Sequence, residues 1–163
     1  MDNHNNDFSL AAIGEALMDK QIVDTILSCN ETTKIYGLVL SEEQALALAD
    51  TRSSKLKETG RIEFGKGIID KLISAFYNSP YISQQNYEDT LHELINLFYD
   101  FKNDTWEVIS DNELIEFMKD AFNGSCHGSL ELLSGNALTS LSRHIHNEKF
   151  FDSYRLPMEK KYE

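Results

Sequence analysis

Apolar residues in this chain recur with the period of helices rather than strands. Ile68, Ile69, Leu72, Ile73, Phe76 and Tyr77 repeat at helical spacing and cover a wide arc, which predicts a helix enclosed by others. It follows a glycine-punctuated loop, Gly60-Arg61-Ile62-Glu63-Phe64-Gly65-Lys66-Gly67, the densest mixture of charge, glycine and aromatic in the chain. Asn78-Ser79-Pro80 closes the helix, because proline has no amide to give and disfavours helix in the residue before it. Upstream, Leu10, Ile13 and Leu17 share one face while Ile22, Val23, Ile26 and Leu27 share another. That change of phase predicts a break near Asp19 and a helix to about Cys29, stopped by Asn30. Lys34 to Leu40 is short, β-branched and aromatic, and is read as a buried connector in preference to a strand.

Start and stop signals frame the remaining helices. Ser41-Glu42-Glu43-Gln44 is a capping box, opening a helix through Ala45, Leu46, Leu48, Ala49 and Leu56 that Gly60 ends. Ser83 or Asn86 starts a helix lined by Tyr87, Leu91, Leu94, Ile95, Phe98 and Phe101, with Asp89, Glu93, Asn96 and Asp100 expected to face water. Ser110-Asp111-Asn112-Glu113 reads as a second capping box, opening a helix that buries Leu114, Ile115, Met118, Ala121 and Phe122. A shorter helix over Ser129 to Leu133, an interruption at Ser134-Gly135 and a helix from Asn136 to about His146 complete the pattern. Phe150, Phe151 and Tyr154 are expected to pack back on the bundle. The expectation is an all-α, single-domain bundle of five to six amphipathic helices spanning 1–163, with 1–8 and 158–163 as flexible tails.

Length and composition narrow the function classes. A single domain of 163 residues buries enough surface to need no disulfide or metal staple. Cys29 and Cys126 lie in no paired spacing and read as free thiols, and the start of the chain lacks the basic and apolar run of a signal peptide. A cytoplasmic setting is expected. The formal charge of −12 disfavours nucleic acid and membrane as partners. That charge is segregated. Within 52–71, Arg52, Lys55, Lys57, Arg61, Lys66 and Lys71 outnumber Glu58, Glu63 and Asp70, for a net +3. Residues 84–123 carry ten acids against Lys102 and Lys119, for a net −8.

Candidate chemistry is sparse. Arg52 falls on the apolar stripe of its helix with Ala45, Ala49 and Leu56, so it must pair internally, snorkel or bind something. Two guanidiniums with fixed forks suit a carboxylate or phosphate, which makes Arg52, Arg61 and Glu63 the candidate ligand-binding residues. The glycines before the helix match neither the phosphate-loop nor the dinucleotide order and read as turn glycines. Gly124-Ser125-Cys126-His127-Gly128 has the spacing of a cysteine nucleophile elbow, but a helix precedes it where that turn requires a strand. His127, His144, His146 and Cys126 lack the spacing of a metal site. The two helices after Ser110 permit a helix-turn-helix, whose second helix has too few cations to read a groove. No catalytic residue, metal or cofactor is expected.

The run Thr59–Ile69, the segment Ser79-Pro80-Tyr81-Ile82 and the run Glu113–Lys119 resemble a bacterial family of small proteins without assigned activity. The resemblance extends from about Ile22 to Leu141. It implies a bacterial origin and no particular chemistry. The function expected is a non-enzymatic interaction or regulatory module that meets another protein, or itself, through its segregated charge. The alternative is a small anionic-ligand binder or enzyme built on Arg52, Arg61 and Glu63.

Overall fold

A computed structural model describes residues 3–65 and 67–148, with side chains from Met18 onward. Every regular element among the described residues is helical. The chain divides into two compact units, Met1–Asn96 and Leu97–Glu163, and the division falls within one helix.

In the first unit, α1 runs unbroken over Asn3–Thr33. The break expected near Asp19 is absent, and residues 3–8, expected as a tail, belong to the helix. A shift of apolar face does not interrupt a helix while each amide keeps its own carbonyl partner. Ile22, Val23 and Ile26 are buried. Asn30 does not stop the helix either. Its side chain reaches the connector instead, accepting from the Leu40 amide and donating to the Leu40 carbonyl, each at 2.9 Å.

The connector is a 3-10 turn at Lys34–Tyr36, a left-handed Gly37 and an extended run, not a strand. It buries Leu38 and Leu40 but leaves Ile35, Tyr36 and Val39 exposed, so the connector expected to be buried is so only at two positions. Gln84 clasps it from the other side, donating to the Val39 carbonyl and accepting from its amide. The capping box at Ser41 is complete, and α2 covers Glu42–Thr59 before Gly60 turns left-handed at φ 68°. The short α3, Ile69–Phe76, buries Ile69, Leu72, Ile73 and Phe76. Both α2 and α3 pack on α1.

Helix α4, Tyr87–Asp104, carries the chain from the first unit into the second. Tyr87, Leu91, Leu94, Ile95 and Phe98 are buried as the pattern predicts. Leu97, Tyr99 and Lys102 are buried as well, so the later turns are covered over a wider arc than one stripe. Asn96 and Asp100 are accordingly half-buried, whereas Asp89 and Glu93 are exposed as expected.

In the second unit, α5 covers Asp111–Asn123 and buries Leu114, Ile115, Met118 and Phe122. At its start the Ser110 hydroxyl accepts from the Glu113 amide at 3.2 Å. The final helix, α6, opens with Leu130–Leu132, widens to π geometry over Leu133–Leu138 and continues as α-helix over 139–148. The interruption expected at Ser134-Gly135 is therefore a widening, not a gap: the Thr139 hydroxyl donates to the Ser134 carbonyl at 2.7 Å across it. Phe150, Phe151, Tyr154 and the tail from Met158 lie outside the described residues.

Candidate functional site

The three residues singled out by sequence meet in the first unit. Arg52 sits on the buried face of α2, where Ala45 and Ala49 leave room for a long side chain. It is 3% exposed. An isolated guanidinium could not remain there uncompensated. The compensation comes from the loop after Gly60. Arg52 Nε and Nη2 donate to Glu63 Oε1 at 3.3 and 3.1 Å, and Arg61 Nε donates to Glu63 Oε2 at 3.3 Å. One carboxylate thus answers two guanidiniums, with the Glu63 side chain only 10% exposed.

Gly67 completes the arrangement. Its φ is +78°, and a Cβ there would fall onto the Arg52 guanidinium and within 2.8 Å of Glu63 Oε1. Sequence reading took Gly67 for an ordinary turn glycine. Its left-handed φ bears that reading out, and a second reason is spatial, since the backbone lies directly on the ion pair.

The consequence for the loop is directional. Exposure alternates along it from Arg61 to Phe64. Arg61 and Glu63 turn inward to the pair, while Ile62 and Phe64 turn outward and are 80% and 91% exposed. Two large apolar side chains are held in water by a buried electrostatic anchor.

A cleft of about 740 Å³ lies beside the cluster, lined by Met18 and Asp19 of α1, by Asp50, Arg52, Ser53, Ser54, Leu56 and Lys57 of α2, and by Glu63. Its carboxylates, Asp19, Asp50 and Glu63, equal or outnumber its cations. They oppose a simple anion and leave the cleft electrostatically mixed.

The remaining candidates are dispersed. Gly124–Gly128 forms the turn between α5 and α6, and Cys126 is buried in it rather than lifted out as a nucleophile would be. Burial, with Asp70 nearby, holds the Cys29 thiol above its ordinary pKa, which removes it as an activated thiolate. His144 is exposed and pairs with Glu148, while His146 stacks on Trp106. No group of three or more His, Cys, Asp or Glu side chains among the described residues is placed to hold a metal ion. His92, expected as a solvated pair member, bonds through Nδ1 to the Thr51 hydroxyl at 2.7 Å and lies 3.5 Å from Glu88. It ties α4 to α2.

Sequence reading missed the burial of Lys102 and, for Tyr87, foresaw the burial but not the state of its hydroxyl. Lys102 donates to the Ile109 carbonyl and pairs with Asp111 at 2.9 Å, pinning the 105–110 loop. Tyr87 is fully buried, and its hydroxyl makes no hydrogen bond of normal geometry. Burial pushes its pKa up to about 12, with Cys29 adding to the rise and the nearby Thr33 hydroxyl opposing it.

No described helix is long and apolar enough to cross a membrane. No curated protein and no solved structure matches the chain. A family of proteins does match it, over residues 25–150, which include α2 to α5 and the whole Arg52–Glu63–Arg61 cluster. The chain therefore belongs to that family, a family of unknown function designated DUF6323.

Proposed function

We propose that this protein is a non-enzymatic interaction module, acting in the cytoplasm, whose working surface is the loop from Arg61 to Gly67. The observation that carries the reading is the outward pair Ile62 and Phe64, 80% and 91% exposed on a loop whose alternate residues are anchored inward. Exposed large apolar side chains on a rigid support suit recognition, because the ordering cost is met before the partner arrives. Surrounding cations, including exposed Lys57 and Lys71, favour an acidic partner. The experiment is a paired capture with wild-type protein and an Ile62→Ser/Phe64→Ser variant of unchanged circular dichroism. Partners specific to the loop are lost from the variant; an unchanged partner set removes the reading.

The alternative, a small anionic ligand held by Arg52, Arg61 and Glu63, draws its support from the adjoining cleft. It requires the ligand to compete with Glu63 for both guanidiniums. Thermal-shift measurement with carboxylates and inorganic phosphate tests it. Saturable stabilisation that disappears in Arg61→Met, whose half-exposed position makes it the safer substitution, favours this reading; no shift rules against it.

A further inference from the structure

The exposed loop needs a receptor that is apolar within and acidic around, and the second unit carries one. An open groove of about 600 Å³ lies between α5 and α6, lined by Phe117, Asp120, Ala121, Ala137, Leu141 and His144 among others. Its interior is mostly carbon. Its α5 side is acidic: Glu113, Glu116 and Asp120 are all exposed and fall on one stripe with Phe117 at helical spacing. The volume accommodates a phenylalanine ring with room for a second aliphatic group.

Resting on the interaction reading above, we propose that this groove receives the Ile62–Phe64 loop of a second copy of the chain. The argument is complementarity of two kinds in one sequence. A projecting apolar pair sits in a stretch of net charge +3, and the α5 wall of an apolar recess, with Phe117, Asp120 and Ala121, belongs to a stretch of net charge −8. Two copies of a chain with net charge −12 repel at long range. Joining these two regions is the arrangement that sets attraction against that repulsion. The contact is heterologous, since different surfaces meet, so a pair keeps one unused groove on one copy and one unused loop on the other. Growth continues until a ring closes or the chain ends. With so small a contact the association is weak, concentration-dependent and sensitive to salt.

Sedimentation velocity on the full chain, over a range of concentrations and at about 50 and about 500 mM salt, tests this. Wild-type protein is expected to assemble with concentration at low salt and to dissociate at high salt. Phe64→Ser weakens assembly on the order of tenfold or more, as loss of a central aromatic anchor does. Ala137→Trp, which fills the groove, does the same. Asp120→Arg serves in its place if circular dichroism shows the tryptophan variant misfolded, because Asp120 is exposed and its reversal leaves the core untouched. The deciding measurement mixes the two kinds of variant. Phe64→Ser keeps a groove and the groove variant keeps a loop, so the mixture forms a heterodimer and nothing larger. A monomer under all conditions overturns the proposal, as does assembly indifferent to Phe64→Ser, or a mixture of folded variants that stays monomeric. If wild type is monomeric while the loop variant still loses foreign partners in capture, self-association alone falls. If the loop variant loses nothing in either experiment, the interaction reading falls with it.

Discussion

Two loops in this protein are held by buried charge, one in each unit, and they treat their aromatic residue differently. In the first unit Glu63 reaches inward to Arg52 and Arg61, and Phe64 beside it is left 91% exposed. In the second unit Lys102 reaches the Ile109 carbonyl and Asp111, and Trp106 of the same loop lies flat on His146, ring centroids 4.0 Å apart at 5°. That ring is fixed in turn, because His146 Nε2 donates to the Asp104 carbonyl at 2.6 Å and the Asp104 side chain accepts from Ser142. Trp106 and Glu107 even take positive φ, at 52° and 58°, to make the turn. One loop rests a face of its aromatic on the fold, with Trp106 still 56% exposed, and the other holds Phe64 almost wholly out. The same device, a buried ion anchoring a loop, therefore does not by itself mark a functional surface. What the anchored loop does with its apolar residues marks it.

The sharpest way to break this comparison is at the anchors. Glu63→Gln removes the carboxylate that answers the Arg52 guanidinium, which is 3% exposed. Loss of one member of a buried pair costs about 3–5 kcal/mol, which urea denaturation would register. The paired change Arg52→Met with Glu63→Leu should recover most of that loss, since the uncompensated buried charge is gone. A Glu63→Gln protein as stable as wild type would mean the loop is not anchored by charge. Lys102→Met is expected to cost less, about 1–3 kcal/mol, because Asp111 is about one-third exposed and keeps water as a partner.

The aromatics separate next. Trp106→Ala should lose about 0.5–1.5 kcal/mol beyond its buried area, through the stacked ring, whereas Phe64→Ser should stay within about 0.5 kcal/mol of wild type. Equal losses at the two positions would erase the distinction between the loops. Tyr87 supplies the smallest effect at neutral pH and a control of another kind, a buried polar group without a charged partner. Its pKa is raised from 10.0 to about 12 in the folded state, so the folded chain keeps a proton that the unfolded chain has lost between those values. Its contribution to stability is full below pH 10 and is lost as pH rises towards 12. Tyr87→Phe should flatten that part of the stability profile; an unchanged slope would place the titration elsewhere.

Much of the architecture was legible because it is local. The Ser41 box, the left-handed Gly60, the Ser79-Pro80 stop and the buried arc of α3 each rest on residues within a few positions of one another. Local rules misjudged the chain where backbone geometry had more than one acceptable answer. The phase change at Asp19 rotates a stripe without breaking α1, and Ser134-Gly135 widens α6 instead of ending it. Arg52 was legible as an anomaly, a cation in an apolar stripe, and its link to Arg61 and Glu63 was legible as a possibility.

Sequence alone determined that the described elements are helical, where most of them begin and end, and most of the apolar side chains they bury, since these follow from hydrogen bonding and apolar spacing along the chain. Only tertiary structure decided that Glu63 answers both arginines, that the Gly67 backbone lies against the ion pair, that Lys102 is buried, and that the buried Tyr87 hydroxyl makes no hydrogen bond of normal geometry. Those depend on distances between segments, and a charge or hydroxyl has no fixed cost until its surroundings are set. The exposure of Ile62 and Phe64 belongs with them: the loop alternates between two sides, and the buried pair beneath it selected which one meets water.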